Sequence, residues 1–371
     1  MAALQQLAKR YREQLNVKII GVTGSNGKTT TKDLINSIAE TTFRVHKTPG
    51  NLNSQIGLPL TILGISEQDE VAVLEMGMSE RGQIEKLADI ARPDIGVITM
   101  IGTSHLSTLG SREEIAKAKL EIAKGIKAKG LFIYNGDEPL LKDPMLLKGI
   151  RPLTFGEGTE NDIVLSSLHT DSEGTHFTVG GENVTYRVPL TGKHNALNAL
   201  AAIAVGKELG IPEKCIQRGL RNARITEMRM QKIPSERGFT IINDAWNASP
   251  QSVQAAIQTF EEMPCKGRKF IVLGDMLELG DDEVKYHQEV AHYFSSGNNA
   301  FLYTYGHLAH HISLAATSLL PVGQVKHFST KSELTKELQK ELGPADMVLV
   351  KGSRGMKMEE VVEKLMEETK Q

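Results

Sequence analysis

Short apolar runs alternate with longer segments of helical periodicity along most of the chain. In the first half, four such runs stand at residues 17–20, 71–74, 95–98 and 131–134. Segments of helical pattern, among them residues 84–91 and 113–126, separate the runs. Alternating strands and helices of this kind predict a mostly parallel sheet that helices cover on both faces.

The pattern changes between residues 162 and 190, where apolar and polar residues alternate in short segments. Residues 176–179 and 184–188 flank Gly180 and Gly181, and this arrangement predicts a β-hairpin. We expect the hairpin to form a small antiparallel addition to the first sheet.

A second series of strands and helices begins near Gly238. Its apolar runs stand at residues 240–242, 270–273, 301–303 and 347–350, each followed by a helical pattern. Residues 224–238 before it are polar and aperiodic, which is typical of a connection between domains. We therefore predict two α/β domains, residues 1–228 and residues 229–371, the second of them doubly wound and Rossmann-like.

Composition narrows the class of protein. The 371 residues are 40% hydrophobic and 24% charged, as in ordinary globular proteins. Lys and Arg number 43 against 45 Asp and Glu, so no basic surplus points to nucleic acid, and no apolar run approaches the ~20 residues that span a membrane. Cys215 and Cys265 have neither disulfide nor metal spacing, which indicates a reducing compartment. We expect a cytoplasmic protein that binds neither nucleic acid nor membranes.

The first apolar run leads into the sequence Thr-Gly-Ser-Asn-Gly-Lys-Thr-Thr at residues 23–30. A strand, a glycine loop and a helix in this order suit a nucleotide phosphate, because backbone N–H groups and the helix N-terminus can hold it. Lys28 can reach the outer phosphates, and the Thr29 hydroxyl can ligate a phosphate-bound Mg²⁺. The first glycine stands at position 24 where the common pattern has it at position 22. We predict an ATP site, and with it a P-loop ATPase domain with a mostly parallel sheet.

Polar residues also stand where other strands of the first domain end. Glu75 ends the second run, His105 follows the third after a short loop, and Asn135 ends the fourth. Ligands bind at the carboxyl ends of parallel strands, so we expect these side chains beside the P-loop. Glu75 could hold Mg²⁺ directly or through water, whereas His105 is either a second metal ligand or a structural residue.

Three other features are ambiguous without further context. The polar, glycine-rich residues 48–57 are too long for a simple turn and are a candidate for nucleotide or substrate contact. His194, Asn195 and Asn198 open an alanine-rich helix, where they either line the site or cap and pack the helix. Lys119 by itself indicates a solvated helix residue. No Asn-Lys-x-Asp signature for guanine occurs, which argues against a GTPase.

Several motifs in order resemble those of the Mur ligases, the ATP-dependent amide ligases of peptidoglycan synthesis. The P-loop shares their displaced glycine, and residues 75–77, 118–122 and 192–198 match further family motifs. Residues 244–250, 273–280 and 350–354 are more selective. They are similar to the branch that joins D-alanyl-D-alanine to UDP-N-acetylmuramoyl-tripeptide, and the DNPR motif of the diaminopimelate-adding branch is absent from the sequence.

The resemblance implies a set of site residues and cofactors. ATP and two Mg²⁺ ions are the expected cofactors, and Lys119 is expected to be carbamylated by CO₂. The residues implied to act in catalysis are Lys28, Glu75, His105, Lys119 and Arg229. The ATP phosphates would contact Gly24, Ser25, Asn26, Gly27, Lys28, Thr29 and Thr30. The metal ligands would be Thr29 and Glu75 for one ion and His105 with Lys119 for the other.

Further residues are assigned by the same resemblance to the nucleotide and the peptide. The nucleotide would contact Asn135, His194, Asn195, Asn198, Arg229, Asp244 and Asn247, with Arg229 at the γ-phosphate. Ser353 and Arg354 would contact the peptide substrate. The implied reaction begins with attack of the tripeptide carboxylate on the γ-phosphate, and the amine of D-alanyl-D-alanine then displaces phosphate from the acyl phosphate. We expect the protein to work as a monomer.

The sequence departs from the family at its front and at Trp246. Mur ligases carry an N-terminal domain that binds the UDP-sugar, whereas residues 1–16 alone precede the P-loop strand here, so we expect that domain to be absent. Trp246 stands where tyrosine is usual. Two alternatives stay open: a ligase of folylpolyglutamate synthetase type, and a non-catalytic ATP-binding fragment or subunit. We interpret His307, His310 and His311 as surface or packing residues.

Overall fold

The computed structural model describes residues 1–142, 149–171, 173–181, 184–294 and 300–367. The chain forms two compact units, Met1–Thr226 and Glu227–Gln371. Each unit has its own sheet and its own hydrophobic core. The sequence predicts a division between residues 228 and 229.

The first unit is an α/β unit. In chain order its helices and strands are α1 (Ala2–Gln14), β1 (Lys18–Thr23), α2 (Lys28–Ala39), β2 (Val45–Lys47), α3 (Gly57–Leu63), β3 (Val71–Glu75), α4 (Gln83–Ala91), β4 (Ile95–Ile98), α5 (Leu106–Leu109), α6 (Arg112–Leu120), α7 (Ile122–Gly125), β5 (Leu131–Asn135), β6 (Arg151–Gly156), β7 (Ile163–Asp171), β8 (Gly174–Val179), β9 (Thr185–Val188), α8 (Lys193–Glu208) and α9 (Glu213–Arg221).

The strands of this unit form one sheet in the order β2-β3-β1-β4-β5-β6-β7-β8-β9. Strands β2 to β7 pair in parallel, and β7, β8 and β9 pair antiparallel. The predicted hairpin is confirmed as β8 and β9. Strands β2, β6 and β7 were not predicted from the sequence, because each carries polar residues and lacks a continuous apolar run.

The first sheet has two hydrophobic cores, one on each face, because successive apolar side chains of the central strands point to opposite faces. Ile20 and Val22 pack with α2, α8 and α9 on one face, while Ile19 packs with α3, α4 and α6 on the other. Successive side chains of a strand point to opposite faces, so an unbroken apolar run is what a sheet covered on both faces requires. The sheet edge that carries the P-loop is thereby fixed between two layers of helices.

The second unit is also α/β. Its helices and strands are β10 (Gln231–Pro234), β11 (Thr240–Asp244), α10 (Pro250–Glu262), β12 (Lys269–Gly274), α11 (Glu283–Val290), β13 (Ala300–Tyr305), α12 (Ala309–Ala316), β14 (Val325–Phe328), α13 (Lys331–Glu341), β15 (Met347–Lys351) and α14 (Glu359–Glu367). The strand order is β10-β11-β15-β12-β13-β14, and every pair is parallel except β10 with β11. The predicted mixed α/β fold class, with mostly parallel sheets, is confirmed.

Two local predictions were wrong. Residues 231–234 were predicted as part of an aperiodic connection, but they form edge strand β10, which needs no apolar run because only one side of it pairs. The single helix predicted at residues 113–126 is broken at Glu121 into α6 and α7. The buried Glu121 carboxylate accepts backbone N–H groups of Gly82 and Glu85, at the start of α4. Within the described residues, no helix is both long and apolar enough to cross a membrane.

Candidate active site

The P-loop joins β1 to α2 with backbone conformations that favour glycine. Gly24 has φ +148° and Gly27 has φ +80°. A Cβ atom on Gly24 would lie 1.9 Å from Thr99 Oγ1, and one on Gly27 would lie 2.5 Å from Asn198 Oδ1. Both glycines are therefore required by conformation and by space, which accounts for the displaced glycine at position 24.

The loop is anchored to the end of β4 and is closed by its own lysine. Ser25 N–H donates to Met100 O at 2.9 Å, and Thr99 Oγ1 donates to Asn26 O at 2.5 Å. Lys28 Nζ donates to Gly24 O at 2.8 Å and to Ser25 O at 3.2 Å. The ammonium group therefore lies over the loop, where it can meet a phosphate bound by the backbone N–H groups.

Glu75 ends β3 next to the P-loop strand and is buried. It pairs in register with Val22, directly before the P-loop. Its Oε1 accepts from Asn53 Nδ2 at 2.7 Å, whereas Oε2 is buried and has no hydrogen-bond partner in the described part of the chain. A buried carboxylate oxygen without a partner is costly, and a cation bound to it removes that cost.

The polar loop at residues 48–57 supports Glu75 through two residues that the sequence did not single out. Thr48 Oγ1 accepts the backbone N–H of Glu75 at 2.9 Å, and Asn53 donates to its carboxylate. Asn53 O also accepts Gly77 N–H at 2.8 Å. The loop was predicted as a contact region, but nothing in its composition distinguishes Asn53 from the neighbouring Asn51.

Lys119 lies in α6 and is only 1% exposed, so the solvated-lysine interpretation was wrong. Its pKa is lowered well below the usual value, first because burial desolvates the ammonium form and second because the charge of Lys28 opposes it. The shift increases the fraction of neutral amine, which is the nucleophilic form of lysine.

His105 directly precedes α5 and has φ +66°, a left-handed conformation that is uncommon outside glycine. No group of three or more His, Cys, Asp or Glu residues that could hold a metal ion occurs among the described residues. Of the predicted metal ligands, only Glu75 and His105 belong to these residue types. A metal site here therefore requires the Thr29 hydroxyl, phosphate oxygens or a modified Lys119.

In the first unit, the residues predicted to contact the nucleotide differ in what they face: one faces the P-loop, and others bond to the backbone nearby. Asn198, 9% exposed in α8, faces Gly27 of the P-loop. Asn195 Nδ2 donates to Thr191 O at 2.9 Å, and Asn135 Oδ1 accepts Asp137 N–H at 2.9 Å. Asn195 and Asn135 thus organise the local backbone, and His194 lies half-buried at the start of α8.

In the second unit, Asp244 is held by a lysine for which no role was predicted. Lys351 Nζ, at the end of β15, contacts Asp244 Oδ2 at 2.6 Å and donates to Asn247 O at 2.9 Å. Asp244 Oδ1 accepts Met230 N–H at 3.1 Å. This network fixes the backbone at Met230, next to Arg229, and at Asn247.

The predicted substrate contacts Ser353 and Arg354 differ in exposure. Ser353 is 3% exposed, and its Oγ accepts Leu277 N–H at 2.9 Å and donates to Ala248 O at 3.2 Å. Arg354 is exposed and forms an ion pair with Glu359 at 2.7 Å. The geometry gives Ser353 a structural task and leaves the Arg354 guanidinium accessible to a ligand.

A cavity of about 430 Å³ lies at the carboxyl ends of β12, β13 and β14, lined in part by Asp275, His307 and His310. His310 stacks on His327 with ring centroids 4.3 Å apart, and burial lowers the pKa of His327. His310 thus packs against a neighbouring ring, which agrees with its interpretation as a surface or packing residue.

Comparison with known proteins identifies the family. Residues 22–206 match the Mur ligase middle domain, and residues 228–354 match the Mur ligase, glutamate ligase domain. A Bacillus subtilis relative is 48% identical over 99% of this chain and 80% of its own length. An Escherichia coli relative is 32% identical over 98% of this chain and 80% of its own length. The chain belongs to the Mur ligase family.

Two curated relatives and two solved structures describe the likeness within the family. Both the Bacillus subtilis and the Escherichia coli relatives are named UDP-N-acetylmuramoyl-tripeptide–D-alanyl-D-alanine ligase. The crystal structure of MurF from Acinetobacter baumannii superposes with a TM-score of 0.89 at 30% identity, covering 99% of this chain and 80% of that one. MurF from Thermotoga maritima in complex with ADP gives 0.88 at 29% identity, covering 100% and 84%.

Proposed function

We propose that this chain is an ATP-dependent ligase that joins D-alanyl-D-alanine to UDP-N-acetylmuramoyl-tripeptide in peptidoglycan synthesis. The observation that carries the proposal is the 48% identity over 99% of the chain to a ligase of that name. The P-loop with Lys28 and the buried Glu75 carboxylate support it, because they supply charged groups that phosphoryl transfer needs. The desolvated Lys119 amine supports it as a group that CO₂ can carbamylate.

The reaction consists of two transfers. An oxygen of the tripeptide carboxylate bonds to the γ-phosphorus of ATP, and the bond from that phosphorus to ADP breaks. The free amine of D-alanyl-D-alanine then attacks the acyl carbon, loses a proton, and expels inorganic phosphate. The first step brings two anions together, so Lys28 and Arg229 are assigned to neutralise charge on the phosphates.

Mg²⁺ fits the residues of the first unit. The partnerless Glu75 Oε2 and the hydroxyl of the buried Thr29 are oxygen donors of the type that this ion prefers. When bound, Mg²⁺ would neutralise phosphate charge. A second ion would be held by His105 and by Lys119 after carbamylation, in which the neutral Nζ bonds to the carbon of CO₂ and releases a proton. The lowered pKa of Lys119 favours that reaction.

The remaining site residues keep their assigned roles within the proposal. ATP would contact the P-loop, Asn135, His194, Asn195 and Asn198. Asp244 and Asn247 would contribute to the nucleotide from the second unit, and Arg354 to the peptide substrate. The cytoplasmic location and the monomeric state also remain predictions.

A non-catalytic ATP-binding protein is the alternative of a different class. A folylpolyglutamate synthase structure from Mycobacterium tuberculosis is 16% identical with a TM-score of 0.69, a likeness that concerns the fold alone. The second-unit motifs at residues 244–250 and 273–280 favour the peptide ligase over a folylpolyglutamate ligase. The intact residues Lys28, Glu75, His105 and Lys119 favour a catalytic protein over a non-catalytic one.

The experiment is a ligation assay followed by mass spectrometry. Purified protein is incubated with ATP, Mg²⁺, UDP-N-acetylmuramoyl-tripeptide and D-alanyl-D-alanine, with each component omitted in turn. We expect a pentapeptide product only when all components are present, and none from the Lys28→Ala variant. ATP binding without product at saturating substrates would contradict the proposal and favour the non-catalytic alternative.

A further inference from the structure

Trp246 lies beneath two arginines that the proposed function assigns to different substrates. The Arg354 guanidinium carbon is 4.9 Å from the centroid of the Trp246 ring, and that of Arg229 is 5.7 Å from it. Both distances fall within the range of cation–π attraction. Trp246 itself follows β11 and is half-buried.

The backbone around Trp246 is fixed on both sides. Ala245 is fully buried, and its N–H donates to Asn243 Oδ1 at 3.2 Å. On the other side, Lys351 Nζ donates to Asn247 O at 2.9 Å. The backbone that carries the Trp246 ring is therefore held on both sides. This makes the ring a suitable support for flexible side chains such as arginine.

Arg229 is also held through its neighbours. Met228 and Met230 both have left-handed backbone, with φ +59° and +51°. Met228 N–H donates to Gln231 Oε1 at 3.1 Å, and Met230 N–H donates to Asp244 Oδ1 at 3.1 Å. Such strained backbone persists only where surrounding contacts enforce it, so the direction in which Arg229 leaves the chain is built into this segment.

Two guanidinium groups over one ring repel each other in the absence of an anion. The negative face of the indole attracts each of them, and Glu359 adds a carboxylate to Arg354. A bound phosphate or carboxylate attracts a guanidinium more strongly than a ring does, because it carries a full charge and accepts hydrogen bonds.

We propose that Trp246 is a positioning residue that holds Arg229 and Arg354 over its ring and releases them to substrate anions. The inference rests on the proposed function, which assigns Arg229 to the outer phosphate of ATP and Arg354 to the peptide substrate. Trp246 does not touch the reacting atoms. Its effect is to keep both arginines extended and aligned before substrates bind.

Fluorescence tests the release directly, because Trp246 is the only tryptophan in the 371 residues. Saturating ATP with Mg²⁺ should change the emission of the native protein. Arg229→Met should remove this change, whereas Arg237→Met should keep it. Arg237 is a matched control because it is an arginine that packs on a different aromatic ring. Its guanidinium carbon lies 5.6 Å from the centroid of the Phe239 ring. Unchanged emission while labelled ATP is retained on the protein would overturn the proposal.

Kinetics supply the second readout. Trp246→Phe and Trp246→Tyr keep an aromatic face and should stay within about 3-fold of the native KM for ATP, whereas Trp246→Leu should raise it about 10-fold or more. Trp246→Leu combined with Arg229→Met should be no worse than Arg229→Met alone. Equal KM values for the Phe and Leu variants, or independent effects in the double variant, would overturn the proposal.

The two proposals fail in distinguishable ways. If the native protein makes no product, the ligase function fails, while the emission change and its loss in Arg229→Met still decide the role of Trp246. If Trp246→Leu loses its far-ultraviolet circular dichroism, the Phe and Tyr variants and the arginine variants carry the test. Product formation with no emission response would reject the role of Trp246 and leave the ligase function standing.

Discussion

At the scale of single residues, burial converts Lys119 from an ordinary cation into a group with unusual acid–base behaviour. The folded-state pKa of Lys119 lies well below the value of 10.5 expected of an unfolded chain. Between these two pKa values the unfolded chain binds more protons than the folded one, so the free energy of unfolding rises as pH rises through that window.

This behaviour predicts how Lys119→Met changes stability. We expect the variant to be more stable than the native protein at pH 7, with a difference that shrinks by pH 9, because methionine removes the titrating group. Urea denaturation at both pH values in CO₂-free buffer measures the difference. Parallel pH dependence of the two proteins would contradict a lowered pKa for the buried Lys119.

The P-loop glycines give a second prediction at this scale. Gly27→Ala should abolish detectable ATP binding, because the left-handed backbone costs about 1–2 kcal/mol and the new Cβ meets Asn198. Gly210→Ala is the matched control, since Gly210 has φ +72° and open space around its Cβ position. It should carry the same kind of backbone cost without a clash, and it should keep ATP binding. Calorimetric titration with ATP and Mg²⁺ measures both variants, and equal affinity would contradict the account.

At the scale of elements, the ion pair between Asp244 and Lys351 ties the ends of β11 and β15 together. The two residues stand opposite each other in the register of these strands. Lys351 is 3% exposed, and Asp244 is held by the backbone of Met230 as well. Removal of one partner leaves the other charge in a mostly buried position, which is more costly than the pair itself.

Lys351→Met should therefore destabilise the second unit by about 3 kcal/mol. Asp244→Asn combined with Lys351→Met should recover part of the loss, since no uncompensated carboxylate remains. Urea unfolding followed by Trp246 emission measures the effect, because that residue lies in the second unit. A double variant that is less stable than Lys351→Met would argue against the ion pair as the cause.

The elements also show how far the sequence could predict the fold. Continuous apolar runs marked the central strands β1, β3, β4, β5, β12 and β15, because both faces of these strands are covered. Edge strands β2 and β10 have no such signal, since pairing on one side and partial exposure tolerate polar residues. The break at Glu121 accompanies a hydrogen bond from its carboxylate to the start of α4, which is distant in the sequence. Local periodicity cannot predict such a contact.

The site residues could be predicted only in part from the sequence. The P-loop and Glu75 follow from their position at strand ends, and the roles of Lys119 and Arg229 came from the family resemblance. Asn53, Thr48 and Lys351 were missed because their partners are distant in the sequence and are set by tertiary structure alone. The cation–π contacts of Trp246 were missed for the same reason.

At the scale of the whole molecule, two α/β units with separate cores present different chemistry. The first unit has a phosphate-binding loop and a buried carboxylate, and the second has arginines on a fixed aromatic support. The chain spans about 80% of the length of its Bacillus subtilis relative, and both matched family domains lie within it. We assign one reaction, amide formation through an acyl phosphate, to the residues of these two units.

Oxygen transfer tests that reaction most directly. UDP-N-acetylmuramoyl-tripeptide labelled with ¹⁸O in its terminal carboxylate is incubated with the protein, ATP, Mg²⁺ and D-alanyl-D-alanine. We predict that one labelled oxygen per turnover leaves in inorganic phosphate, because the carboxylate oxygen that attacks the γ-phosphorus stays with phosphate when the amine displaces it. Inorganic phosphate without label, in the presence of amide product, would contradict the acyl phosphate mechanism.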